Sequence, residues 1–222
     1  MDKMRIKEIH HRIKNNLQVI CSLLSLEAER FSDEKILEAF KESQNRVASM
    51  ALIHEELYSG DKNDSLDFAA YLSKFTADLF KSYNLGNSNI SLKTDLESVY
   101  LDMDAAVPLG IIINELISNS LKHAFPAGSE GEINISLHRT ETLATELEEF
   151  NLNQDCREKE NFKYILRVAD NGRGIQEEIE IGDADSLGLQ LVNILVDQID
   201  GCIELERDYG TDFRIWFGNK EP

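Results

Sequence analysis

The sequence predicts an α+β chain, an N-terminal antiparallel helical hairpin followed by a two-layer α/β sandwich. Three observations lead there. Residues 4–30 lack Pro and Gly and repeat apolar side chains at intervals of three and four. A second helical-period run succeeds it after a short break. Beyond about residue 89 the pattern changes to short alternating strands separated by helical stretches.

The first helix carries its apolar stripe at Ile6, Ile9, Ile13, Leu17, Ile20 and Leu24. A second begins near "SDEK", where Ser32 can cap and Asp33 and Glu34 suit the positive end of the helix. It runs through Ile36, Phe40, Val47, Met50 and Leu57 until "SGDKND" stops it, so the turn falls near Phe31 to Asp33. Two helices bury little by themselves, and this hairpin should pair with a copy of itself or dock on the C-terminal domain. A third helix is predicted from about Leu66 to Tyr83, ended by "NLGNSN". "ISLKTDL" and "VYLD" read as strands, and a helix opens between Asp102 and Pro108, since Pro is tolerated mainly in a first turn. That helix runs to about Ala124, where "FPAGSEG" ends it. "EINISLH" and "KYILRVAD" are strands, "SLGLQLVNILVDQID" is a helix, and "GCIELERD" with "TDFRIWF" makes a terminal hairpin around Tyr209 and Gly210. Several antiparallel strands with helices on one face result, and the domains are expected at 1–62 and 63–222. Residues 139–162, with seven acidic and three basic side chains, are too long for a tight turn. They read as a solvated loop or a short helix at "TLATELEEF", with a partner-binding role as the alternative.

Bulk properties narrow the function. A net charge of −18 and a pI near 4.6 exclude a broad electrostatic grip on nucleic acid or anionic lipid. A polyanion must instead be held locally, by backbone N–H groups, a few cations or a metal. Cys21, Cys156 and Cys202 lack CxxC spacing and read as separate thiols in a reducing compartment rather than a zinc site. No apolar run approaches the 18 residues of a membrane span, so no direct membrane insertion is expected, and the setting is expected to be cytoplasmic.

Three short stretches carry candidate chemistry. In "NELISNSLKHAF", Glu115, Asn119 and His123 are four apart on a helix and Lys122 is three beyond Asn119. That face offers an acid, an amide able to ligand Mg²⁺ and a cation able to neutralise phosphate, though a solvated helix face shows the same pattern. In "ADNGRGI", Asp170 can accept from an exocyclic amine, and Gly172 and Gly174 let backbone approach a ligand; a plain Asn-Gly turn is the alternative. In "DSLGLQLVNIL", Gly188 opens a helix whose free N–H groups can receive phosphate. Thr211 in "YGTDFRIWF" adds a small hydroxyl on the last hairpin.

In this order, "NELISNSLKH", "DNGRG", "SLGLQLV" and "GTDF" resemble the N box, the adenine-binding box, a shortened glycine box and the terminal Gly-Thr of the GHKL ATPase fold found in sensor histidine kinases. The ordered set is specific where its members are not. The resemblance covers roughly residues 65–218 and implies ATP and Mg²⁺ as cofactors. It makes Asn119 the Mg²⁺-binding asparagine, Glu115 its acid partner and Lys122 with His123 the phosphate-side residues. Asp170 becomes the acceptor of the adenine amine, with Gly172, Gly174 and Thr211 around the base and Gly188 on the phosphate side. Only some ten residues, "IQEEIEIGDA", separate "DNGRGI" from "DSLGLQLV", which implies a short lid that covers the triphosphate less completely.

"EIHHRIKNNLQVICSLLSLEAE" in turn resembles the dimerisation and phosphoacceptor helix of HisKA_2 type kinases, relatives of the HWE group. With Ile6 at zero and about 100° per residue, the apolar stripe lies within roughly 60° of it, His10 falls at about 40° and His11 at about 140°. His10 therefore borders the buried stripe and His11 projects from its flank; the family motif also aligns His11. The resemblance implies an ATP-dependent protein histidine kinase. It would autophosphorylate His11, pass the phosphoryl group to an aspartate of a response regulator receiver domain, and pair as a homodimer. An ATPase of the same fold driving conformational change, or a non-catalytic nucleotide-binding scaffold, is the alternative.

Overall fold

The computed structural model describes residues 3–59, 65–83, 89–126, 128–143, 162–175 and 187–218. Within them the side chains of 3–11, 53–59, 81–83 and 142–143 are not described. Most of the 139–162 insertion lies outside the described residues; its start, Thr140–Leu143, is a 3-10 turn. The chain divides into two units, Met1–Leu66 and Asp67–Pro222.

The first unit is a hairpin of α1 (Lys3–Ala28) and α2 (Glu34–Ser59). Asp33 caps α2, its Oδ1 accepting from Lys35 N at 2.8 Å and Ile36 N at 3.3 Å. The cap is thus one residue beyond the predicted Ser32, because the chain leaves α1 through backbone bonds as late as Phe31 N to Ala28 O. The rings of Phe31 and Phe40 stack across the turn at 5.6 Å. Opposite-running helices are tied by Gln44, whose Nε2 donates to Ser25 Oγ at 3.0 Å. On α1 the partly covered positions are Ile13, Lys14, Leu17, Cys21, Leu24 and Ala28, while Ile20 is 44% exposed. The covered face is therefore rotated about 45° from the predicted stripe, toward Cys21.

The second unit comprises β1 (Leu66–Asp67), α3 (Phe68–Tyr83), β2 (Asn89–Leu96), β3 (Tyr100–Leu101), α4 (Met103–Asn119), β4 (Glu130–Arg139), β5 (Tyr164–Asp170), α5 (Leu187–Gln198), β6 (Cys202–Glu206) and β7 (Thr211–Phe217). Five strands form one sheet in the order β2-β4-β5-β7-β6. β2 and β4 are parallel and every other neighbouring pair in this sheet is antiparallel, so the several antiparallel strands that the sequence predicts are joined by one parallel pair. The cause is α4, which carries the chain from one end of the sheet back to the other between β2 and β4, as a parallel pair requires.

Alternation along the strands sets two faces. Ile133, Ile135 and Leu137 on β4, Leu166 and Val168 on β5, and Phe213, Ile215 and Phe217 on β7 are buried. They share the core with Leu109, Ile112, Ile113, Leu116 and Ile117 of α4. α4 also packs on α3 and α5 and is buried from Pro108 to Ser118, so its sequence shows a nearly continuous apolar run rather than a stripe. Asp102 caps it, accepting from Ala105 N at 3.0 Å. The opposite face of the sheet holds a charged cluster, Arg167 to Asp212 at 2.9 Å and Arg214 to Asp212 at 2.7 Å, and a small apolar cluster of Ile165, Cys202, Trp216 and Phe162. Cys202 is disulfide-bonded and Cys21 is free, which corrects the reading of three separate thiols; spacing along a chain says nothing about which sulfurs meet in space.

Candidate functional site

The cleft forms where α4 loses its regular winding. The α-helix ends at Asn119, and Ser120–Ala124 is a single π turn rather than the continued α-helix that the sequence predicts. The reason is a tertiary contact at the far end of that turn. Arg173 N donates to the Ala124 carbonyl at 2.9 Å, and a Cβ on Gly172 would lie 2.5 Å from both Ala124 Cβ and its oxygen. Only glycine at 172 lets the loop after β5 seat against the turn.

That loop is pinned on its other flank as well. Asn171 Oδ1 accepts from Glu132 N at 2.7 Å, and Asn171 N donates to the Glu132 carbonyl at 3.2 Å. Gly174 has φ +73 and Gly210 has φ +105, and a Cβ on Gly210 would collide with the Asp170 carbonyl. The β6–β7 turn can therefore lie directly on the end of β5. Register completes the arrangement, with Asp170 opposite Thr211 and Val168 opposite Phe213.

These elements enclose a cavity of about 520 Å³. Asn119 and His123 line one side, Asp170, Arg173 and Gly174 another, and Thr211 the sheet wall. Leu116, Ala124, Ile175, Leu189 and Phe213 supply apolar surface. A volume of this order, with apolar surface beside convergent polar groups, suits a planar heterocycle carrying a polar tail. Asp170 is buried, and its carboxylate accepts from Gly172 N at 3.0 Å through Oδ1 and from Ser120 Oγ–H at 2.7 Å through Oδ2.

Of the residues singled out in the sequence, Asn119, His123, Asp170, Gly174 and Thr211 meet at this cavity. Glu115 does not line it; only 4% exposed, it accepts from Asn114 Nδ2 at 3.3 Å. Lys122 is half-buried on the π turn and outside the lining, because the widened turn offsets it from the Asn119 side. Gly172 serves through its seat on Ala124, and Gly188 is buried in the first turn of α5, one residue before the lining Leu189. The segment "IQEEIEIGDA" lies outside the described residues after Ile175, and so does Ser186. The side chains of His10 and His11 lie outside the described residues too, although α1 carries both positions.

Two polar lining residues escaped the sequence reading, Ser120 and Arg173. Arg173 was legible only as the variable letter of "DNGRG". Ser120 was hidden by counting an ideal helix, on which it points away from Asn119. Among the described residues there is no group of three or more His, Cys, Asp or Glu able to hold a metal ion. Asn119 offers one amide oxygen at the cavity, which fits Mg²⁺ carried in by phosphates and retaining its waters better than an all-protein cage. No helix among the described residues is long and apolar enough to cross a membrane.

Comparison with known proteins agrees in both units. The HisKA_2 family of histidine kinases matches residues 8–83, and the family of histidine kinase-, DNA gyrase B- and HSP90-like ATPases matches residues 104–221. The sensor histidine kinase PdtaS of Mycobacterium tuberculosis is 34% identical over 212 residues, 93% of this chain and 38% of that protein. Blue-light-activated histidine kinase 2 of Erythrobacter litoralis is 21% identical over 91% of this chain and 53% of its own length. The chain thus spans little more than a third of PdtaS and about half of the second relative. Among solved structures, the histidine kinase domain of the Erythrobacter litoralis EL346 blue-light-activated kinase superposes with a TM-score of 0.64 at 20% identity, covering 97% of this chain and 93% of that one. That likeness concerns the fold.

Proposed function

This chain belongs to the HisKA_2 type histidine kinases and carries a GHKL-type ATPase domain, and from that premise we propose that it phosphorylates itself on His11 from Mg-ATP and passes the group to a receiver-domain aspartate of a response regulator. The observation that carries the proposal is the cavity that brings Asn119, His123, Asp170 and Thr211 together from separate stretches of sequence. Asp170, a hydrogen-bond acceptor at the cavity wall, suits the exocyclic amine of adenine, and the apolar lining suits its ring. Asn119 and His123 stand on the side where the triphosphate would run, with Lys122 on the same turn. Mg²⁺, held by Asn119, would neutralise and orient the phosphates.

For His11, support comes from the winding of α1. Asn15, Gln18, Ser22 and Ser25 flank the His11 position on the wheel, and all four are exposed and polar. The His10 position aligns with the covered Leu17, Cys21 and Ala28. In the transfer, a neutral imidazole nitrogen of His11 attacks the γ-phosphorus in line, the N–P bond forms, and the P–O bond to ADP breaks. The imidazole proton leaves to solvent. Residues 1–62 would then serve dimerisation and phosphotransfer, and residues 63–222 ATP binding. The chemistry requires the cytoplasmic ATP pool.

Incubation with γ-labelled ATP tests this reading. The wild-type chain should acquire acid-labile, base-stable label, and His11→Gln should abolish it while Mg-ATP affinity stays within about twofold, since the cavity belongs to the second unit. His10→Gln should leave detectable label. Undiminished phosphohistidine in the His11 variant would overturn the assignment, and phosphate release without protein label would identify an ATPase instead.

A further inference from the structure

We infer that Ser120 is the positioning residue that locks the Asp170 carboxylate and thereby sets the cavity's preference for adenine over guanine. The inference rests on the nucleotide reading of the cavity and deepens it.

Both residues line the cavity and both are buried, Ser120 at 8% and Asp170 at 6% exposure. A buried carboxylate with one donor can rotate about its terminal torsion, which is broad and roughly two-fold. Asp170 has two donors from different elements, the backbone N–H of Gly172 on Oδ1 and the hydroxyl of Ser120 on Oδ2, at 3.0 and 2.7 Å. Rotation would break both, so the plane of the carboxylate is fixed. Each oxygen retains a lone pair with which to accept from a ligand.

The π turn makes this possible. Ser120 is its first residue, its backbone N–H still donating to Ile117 and Leu116 carbonyls of α4, while its side chain reaches β5 fifty residues away in sequence. Because the hydroxyl hydrogen is spent on Asp170, Ser120 can only accept from a ligand. At Asp170 and Ser120 the cavity therefore presents acceptors. An amino group at the purine 6-position finds partners there, whereas a 6-oxo group meets like-charged lone pairs, and sites built this way discriminate strongly.

Removing the hydroxyl should act on the base and spare the rest of the nucleotide. In titration calorimetry on the full chain, Ser120→Ala should weaken Mg-ATP binding by about tenfold or more, the effect of losing a hydrogen bond to a buried charge, and change Mg-GTP binding by less than about threefold. The ATP/GTP ratio should fall accordingly, and Ser120→Thr, which keeps the hydroxyl, should restore it to within about threefold. Ser120→Cys, nearly isosteric with a weak donor, should behave like the alanine variant and serves if alanine impairs folding.

Asp170→Asn separates the two levels of inference. If it destroys base selectivity while Ser120→Ala and Ser120→Cys leave the ratio within about twofold of wild type, the role of Ser120 is overturned and the nucleotide site stands. Equal weakening of ATP and GTP by Ser120→Ala would also overturn it, since that is the mark of a merely structural hydroxyl. If the wild-type chain binds neither nucleotide, both readings fall together.

Discussion

The hairpin and the sandwich handle apolar surface in opposite ways. In the hairpin the buried described side chains are Arg46 and Ser49, both polar. Yet eight of the twelve large apolar residues that the described chain exposes belong to it: Val19, Ile20, Leu23, Leu26, Phe31, Ile36, Leu37 and Leu52. The sandwich buries Trp216, Phe68, Phe217 and a full set of Leu and Ile below 2% exposure. Each such side chain contributes about 1.5–3 kcal/mol of transfer free energy, so the sandwich holds a core of its own. The hairpin's contacts cover one side of each helix and leave a second apolar stripe, Val19, Leu23 and Leu26, facing outward at helical spacing. That stripe supports the proposed homodimer through residues 4–58, in which a second copy supplies the missing half of a four-helix bundle.

The largest test of this contrast is to charge the outward stripe. Leu23→Asp with Leu26→Asp should convert the dimer to a species near 25.2 kDa in light scattering, with Mg-ATP binding by the sandwich unchanged. A wild-type chain already monomeric at high concentration would remove the dimer altogether. In the sandwich, Ile112→Ala opens a cavity at a fully buried position and should lower unfolding free energy by about 2–5 kcal/mol in a denaturant titration. A loss below about 1 kcal/mol would mean that the two units are packed alike after all.

The smallest effect sharpens the picture of the hairpin. Asp33→Ala removes the α2 cap and should cost about 1 kcal/mol, within the usual span for such caps. Cys21 reports it, because its Sγ–H donates to the Gln44 carbonyl at 3.8 Å and so sits between the two helices. Burial pushes the Cys21 thiol above its ordinary value, which keeps thiolate scarce near neutral pH and alkylation slow. The sign is that stability from this group is present below the unfolded thiol's titration and is lost as pH rises through the folded one. Iodoacetamide labelling of Cys21 at about pH 8, near the ordinary thiol range, should therefore be several-fold faster in Asp33→Ala than in the wild type. Equal rates would show that the cap does not govern opening of the hairpin.

What the sequence carried was whatever depends on local pattern. Helical period announced α1 and α2, strand alternation announced β4, β5 and β7, and the ordered glycine and asparagine boxes announced the residues gathered at the cavity. What it withheld depends on distant partners. Ser32 and Asp33 are both good caps, and only the exit path of α1 chooses Asp33. β2 alternates equally well in either direction, and its parallel pairing with β4 is decided by where α4 returns the chain. The π turn is invisible in "SLKHA" because its cause is Gly172 and Arg173, some fifty residues on. Ser120 was lost with it.

The cluster of Arg167, Asp212 and Arg214 on the open face of the sheet acquires a use once slippage is considered. Successive side chains on β7 alternate between faces, so a shift of one residue against β5 would carry Asp212 into the place of Thr211, directly opposite Asp170. Two carboxylates would then share one buried wall, an arrangement that costs free energy unless one takes up a proton. In the observed pairing Asp212 is instead gripped by Arg167 and Arg214 on the far face, while Asp170 looks into the cavity. The charged cluster thus acts as an alignment key: it favours the observed pairing of β7 over that one-residue shift, and it does so from the face of the sheet opposite the cavity.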